Sequence, residues 1–183
     1  MAYATVEAIK SYLDISSAEH DAVLETLLDA ATAFIERYTG KRFRAVSDTH
    51  YFGPEAVDLA TSTLILDDWA VAITQVINGN GEEIPEAGWV PVPRRPPHFG
   101  VRTWYPYRWD LSGHIAVTAK WGWSETPPDD IVHATVRLAA YFYRQRDAQI
   151  FDVTAFPDAG AITIPKGVPA DVREILNNYR SLV

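Results

Sequence analysis

The 183-residue chain contains no cysteine, which removes disulfides, thiolate metal sites and cysteine nucleophiles together. A reducing compartment fits that composition. No apolar run approaches the ~18 residues needed to span a bilayer, and Met1-Ala2-Tyr3 lacks the basic and apolar regions of a signal peptide, so the expectation is a protein made and kept in a cytoplasm, away from membranes. Positive charge is scarce: 16 Lys and Arg stand against 24 Asp and Glu, a net charge of −8. Phosphate affinity is built on lysine and arginine, so the surface as a whole disfavours nucleic acid, although an acidic chain can enclose DNA without gripping it. Catalytic signatures are missing as well, with no G-x-S-x-G, phosphate loop or H-E-x-x-H. His20, His50, His98, His114 and His133 stand at no metal-ligand spacing, and Asp129, Asp130 and His133 lack further ligands. The pairs Asp67-Asp68 and Glu82-Glu83 face opposite ways on a strand and make no acid/base couple. The expectation is no enzyme, no cofactor and no metal.

What the chain has in excess is aromatic, with six Trp and nine Tyr. Such residues build cores, and they also anchor interfaces, because each joins a large apolar body to a polar tip. The length suits one domain, or one domain carrying an elaborated insertion.

Thr5 is placed to cap a short helix carrying Val6, Ile9 and Leu13, which stops near Asp14. Ser16 to Glu19 reads as a capping box for a longer helix, in which Leu24, Leu27, Leu28, Ala31, Phe34, Ile35 and Tyr38 recur at three and four until Gly40 offers a left-handed end. From Phe43 to Trp123 short β-favouring runs alternate with Gly, Pro, Asn and Asp. Strands are expected near Thr49–Phe52, Val57–Leu59, Leu64–Leu66, Ile73–Ile77, Trp89–Val92 and Ile115–Trp121. Asn78-Gly79-Asn80-Gly81 is the clearest turn, and Pro91, Pro93, Pro96 and Pro97 mark a loop or an edge. A third helix opens at Pro127, Pro128, Asp129 and Asp130 and is apolar on nearly all sides through Phe142, so it belongs at the centre. After Gly160 come a short extended piece at Ala161–Pro165 and a last helix behind Pro169. The fold class expected is α+β, a small helical bundle of about four helices with an all-β insertion between the second and third long helices. The helical domain is placed at 1–42 and 124–183 and the β-rich insertion at 43–123.

Two segments are candidate contact sites. Arg94, Arg95, Arg102 and Arg108 are interleaved with aromatics including Trp104, Tyr105, Tyr107 and Trp109, a basic patch in an acidic chain. It fits a protein interface, a base-stacking and phosphate contact, or a loop packed on its own sheet. The tail holds Ile162, Ile164, Pro165, Val168 and Pro169, then Val172, Ile175 and Tyr179 on one side of the last helix; it suits lying on another surface or folding back on its own helices.

Three stretches, in order, carry a resemblance. They are Tyr3–Leu13 leading into Leu27–Ala31 and Phe34–Phe43, then Pro127–Asp147 with Leu138-Ala139-Ala140 and Tyr143-Arg144-Gln145-Arg146-Asp147, then Ile164–Pro169 through Ile175–Arg180. Together they resemble the head-tail connector (adaptor) protein family of long-tailed bacteriophages. The resemblance implies a structural subunit in the virion neck, a homo-oligomeric ring of roughly twelve copies closed by a repeated head-to-tail contact. Its partners would be the portal protein and a downstream neck or tail-completion protein, with the tail on the portal or a neighbour. Twelve such copies would carry roughly −96 before counterions, so DNA would pass through without specific binding. The competing reading is an aromatic-rich β module that binds carbohydrate or single-stranded nucleic acid.

Overall fold

Thr5 sets the first helix, α1 (Val6–Leu13), because its Oγ1 accepts from the Ala8 N–H at 3.2 Å. The structure is a computed structural model that describes residues 2–147 and 168–180. Its two compact units are Met1–Gly40 with Pro128–Val183, which is helical, and Lys41–Pro127, which is built on a sheet.

Helix α1 ends at Asp14, which takes a left-handed conformation at φ 57°. The second helix, α2 (Asp21–Thr39), starts later than the capping box predicts. Ser17 Oγ accepts from the Glu19 N–H at 3.1 Å, and His20, the residue before the helix, gives no side-chain cap. A serine that closes a local turn is no longer placed to cap a helix. At the other end Gly40 does take the left-handed position, at φ 68°, and its N–H donates to the Glu36 carbonyl at 2.8 Å.

The third helix, α3 (Asp129–Asp147), is the centre of its unit: α1, α2 and the last helix, α4 (Ala170–Asn177), all pack on it. Ile131, Ala134, Thr135, Leu138 and Ala139 are fully buried, facing a core that includes Ile9, Leu24, Leu28, Ile35, Val172 and Leu176. Each such leucine or isoleucine contributes about 1.5–3 kcal/mol by leaving water.

The expected bundle with an inserted β region is corrected here. A bundle needs helices of similar length sharing one apolar seam. Only α2 and α3 are long, at 19 residues each, while α1 and α4 have eight. The largest ordered feature is instead one antiparallel sheet of six strands, so the chain is α+β, with four helices in one unit and a six-stranded sheet in the other.

The sheet comprises β1 (Val46–Phe52), β2 (Val57–Asp58), β3 (Thr63–Ile77), β4 (Trp89–Val92), β5 (His98–Thr103) and β6 (Ile115–Trp121), in the order β1-β6-β3-β5-β4 with β2 on β3. Two expected strands are one 15-residue strand, β3. Its first half pairs with β2 and β5 and its second half with β6, and the register shifts between Ile65 and Ala70 where the partners change. Asp67 and Asp68 sit at this irregularity, where Asp68 Oδ1 accepts from the Trp69 N–H at 2.7 Å. The proline-rich stretch lies at one edge of the sheet, with Pro91 in the edge strand β4. At the other edge, on β1, Asp48 Oδ1 accepts from the Thr49 N–H at 2.8 Å. Strand β6 lies between β1 and β3 and is almost wholly buried. Leu64, Val76, Val101, Ile115, Val117 and Trp121 form the core of this unit, with no measurable exposure.

Candidate interaction surfaces

The arginine and aromatic segment begins at the turn between β4 and β5. His98 Nδ1 donates to the Pro93 carbonyl at 2.7 Å, which closes that turn and leaves Arg94 and Arg95 exposed at its tip. Neither makes a hydrogen bond or ion pair among the described residues. Arg102 lies on β5, where its Nε donates to Thr63 Oγ1 at 3.1 Å. The adjacent Asp58 carboxyl is held below its usual range by hydrogen bonds from Thr61 and Ala60 and, to a smaller degree, by the Arg102 charge.

The aromatics of this segment divide into two kinds. Trp109 belongs to the core, and its Nε1 donates to the Ser62 carbonyl at 3.0 Å. Tyr107 packs against that core and fills the space beside Gly88, where an added Cβ would lie 2.6 Å from the Tyr107 ring. Trp104 and Tyr105 point outward, Tyr105 at 82 % exposure. A stacking platform for sugars or bases needs several aromatics on one open face, and here only these two, with Phe99, remain exposed.

What holds the segment is Asn78, a residue the sequence marks only as part of a turn. The turn itself forms: the Gly81 N–H donates to the Asn78 carbonyl at 2.9 Å, with Gly81 at φ 83°. Beyond it, Asn78 Nδ2 donates to the Arg108 carbonyl at 2.8 Å, and Oδ1 accepts from the Asp110 N–H at 2.8 Å and the Gly79 N–H at 3.1 Å. The chain passes so close that a Cβ on Gly79 would lie 2.2 Å from the Asp110 carbonyl oxygen. Sequence reasoning also passed over Lys41. Its Nζ lies 4.6 Å from the Trp123 ring centroid and 5.5 Å from that of Trp69, and burial pushes its amine below the usual range.

In the helical unit the tail candidates are scattered in role. Val172 is fully buried and holds α4 in place, which removes it from any partner surface. Ile175 is half-buried, and the Tyr179 hydroxyl, 2.9 Å from both Asp130 carboxylate oxygens, donates to that carboxylate. Val168 and Pro169 line a groove of about 460 Å³ together with Tyr12, Arg137, Tyr141, Arg144 and Arg173. Arg137 Nε donates to Asp171 Oδ2 at 2.9 Å. Ile162, Ile164, Pro165 and the expected extended piece at Ala161–Pro165 lie outside the described residues. Among the described residues no cluster of His, Asp and Glu has metal-binding geometry, and no helix is long and apolar enough to cross a membrane.

Solved structures place the fold. Against a chain from the neck of an empty gene transfer agent particle computed with C6 symmetry, the TM-score is 0.63 at 22 % identity, covering 97 % of this chain and 89 % of that one. For the neck of the native particle computed with C12 symmetry the values are 0.64 and 19 %, covering 97 % and 88 %. A chain of the native gene transfer agent virion gives 0.58 at 19 %, covering 97 % and 89 %. No curated protein matches the sequence. The fold is therefore of the class these particle chains share. A family model described as head completion protein matches residues 2–182, and the chain belongs to that family. The resemblance read from the helices and tail is borne out at this level.

Proposed function

We propose that this head completion protein is a structural subunit of the phage neck, an adaptor ring of about twelve copies that joins the portal to the next neck or tail-completion protein. The observation that carries the reading is the reach of the family match, which spans residues 2–182. The fold likeness to chains from necks computed with sixfold and twelvefold symmetry supports a ring. A net charge of −8 per copy suits a channel that repels the genome and lets it slide. The role is architectural, without turnover.

On this reading residues 1–42 and 124–183 form the connector domain with its tail, and 43–123 the β-rich part. The tail, including Ile162, Ile164, Pro165, Val168, Pro169, Ile175 and Tyr179, meets the portal or a neighbouring copy. Arg94, Arg95, Arg102 and Arg108, with Trp104 and Tyr105, make a protein contact in the assembled neck, since a turn stiffened by proline loses little entropy on docking. The test is to mix the purified chain with its cognate portal and examine the product by electron microscopy and native mass. A ring of about twelve copies on the portal is expected. Failure to associate with the portal, together with DNA binding that falls steeply with salt, would overturn the reading.

A further inference from the structure

The sheet unit carries a groove of its own, about 620 Å³, which opens between the end of β1, the turn after it, β2 and the first half of β3. Its walls are apolar: Tyr51 on β1 is 70 % exposed, and Ile65 on β3 and Val57 on β2 stand with it. Its rim is acidic, with Glu55, Asp58 and Asp67 and no lysine or arginine among the described residues that line it. Glu55 is exposed and makes no hydrogen bond or ion pair among the described residues. Asp67 meets His50 Nδ1 through Oδ1 at 2.8 Å, and its other oxygen takes no hydrogen bond among the described residues. Asp58 accepts from Thr61 Oγ1 at 2.7 Å and from the Ala60 N–H at 2.9 Å, which with a smaller contribution from Arg102 keeps it charged. Carboxylates beside an exposed tyrosine ring suit a segment that brings cations and apolar surface together.

The same unit displays such a segment. Pro93, Arg94, Arg95 and Pro96 are all exposed at the tip of the turn between β4 and β5, which the bond from His98 to the Pro93 carbonyl closes. Arg94 and Arg95 make no hydrogen bond or ion pair among the described residues, so no described carboxylate of their own copy holds them. Proline-rich segments dock on grooves lined by aromatic rings, and a turn already fixed loses little entropy on doing so. Strands β4 and β1 are the two ends of the strand order, so tip and groove belong to different edges of the sheet. Two different surfaces that match each other make a head-to-tail contact, the kind that repeats around a ring. We propose that the Arg94-Arg95 turn of one copy docks in the Tyr51–Ile65 groove of the next, with its guanidinium groups on Glu55 and Asp67. This rests on the ring reading above and gives the proline turn its partner, a second copy of the chain. Charge selects that occupant, since the tip is cationic, the groove is anionic and every copy displays both.

The test uses the full-length chain assembled on its portal. A tip variant (Arg94→Glu with Arg95→Glu), a groove variant (Glu55→Lys with Asp67→Lys) and the chain carrying all four changes are compared with wild type. Each reversal is expected to lower ring occupancy at least about tenfold, and the combination to restore it to within about threefold, because only together do the charges match again. Tyr51→Ala removes an exposed ring outside the core and is expected to lower occupancy at least about threefold, with circular dichroism and tryptophan fluorescence checking that each variant folds. In parallel, equal amounts of an Arg94→Cys chain and a Glu55→Cys chain are mixed, assembled and treated with a short bis-maleimide. The chain has no cysteine of its own, so a linked dimer is expected from the mixture and from neither variant alone. Wild-type occupancy from a folded groove variant, or rings from the mixture that yield no linked dimer, would overturn the inference and leave the ring reading standing, with the turn facing another neck protein. A wild-type chain that forms no ring on the portal would overturn both.

Discussion

Replacing Asn78 with alanine is expected to destabilise the β unit by roughly 2–4 kcal/mol. The side chain makes three hydrogen bonds, and two of them span more than thirty positions or close to it, to the Arg108 carbonyl and from the Asp110 N–H, both at 2.8 Å. Each is worth about 0.5–1.5 kcal/mol net, and a buried partner left unpaired costs about 1–3 kcal/mol more. The third bond, from the adjacent Gly79 N–H, is local and is largely replaced by water. Asn78 itself is only 8 % exposed, so solvent reaches the vacated partners poorly. The assay is favoured by composition: all six tryptophans lie within Lys41–Pro127, so their fluorescence in a urea titration follows this unit alone. Circular dichroism at about 222 nm follows the helices separately. A fall in the fluorescence midpoint with the slope m unchanged, and an unmoved helical transition, is the expected pattern. A loss below about 0.5 kcal/mol would refute the argument that this side chain braces the segment carrying Arg102, Trp104 and Arg108.

Leu28→Ala and Leu138→Ala, at positions of 1 % and 0 % exposure, should each cost ~2–5 kcal/mol in the helical transition through the cavity left behind; losses below about 1 kcal/mol at both would show that the core lies elsewhere. The Tyr179 hydroxyl is pushed up to about 12 by burial first and by its bond to Asp130 second. Because the folded state holds this proton more tightly, the stabilisation is fully present below pH ~10 and is lost as pH rises through about 12; Tyr179→Phe should lack that alkaline loss in a pH series of unfolding curves. Arg→Glu at Arg94, Arg95, Arg102 and Arg108 together should block incorporation into portal complexes while DNA retention stays weak at every salt concentration. Normal incorporation with loss of a salt-sensitive DNA affinity would reverse that assignment.

The helices were the legible part of this chain, since an apolar stripe at three-and-four spacing survives any tertiary context and ends such as Thr5 and Gly40 act locally. Their assembly was less so: nothing in the periodicity of Val172 and Leu176 tells which neighbours a short helix packs on, here α3 and α2. Strand β5 went unread because His98-Phe99-Gly100 follows a run of prolines, and proline speaks for the loop before the strand and not for the strand itself. Trp109 looked like a partner anchor because sequence cannot say which of five clustered aromatics turns inward. The arginine groove was beyond reach. Tyr12, Arg137 and Arg173 lie on three elements, and only packing brings them together.

The two ends of the sheet differ in chemistry but agree in effect. At β4, Pro91 lacks a backbone donor, and at β1 the Asp48 carboxylate already occupies the Thr49 N–H. An open sheet with two bare ends is a template for indefinite growth, each copy extending the ladder of the last into a fibre. With one end short of a donor and the other covered by an acid, strand-on-strand polymerisation is discouraged wherever the chain is concentrated. Copies held back from that open-ended route keep their other surfaces available for specific contacts.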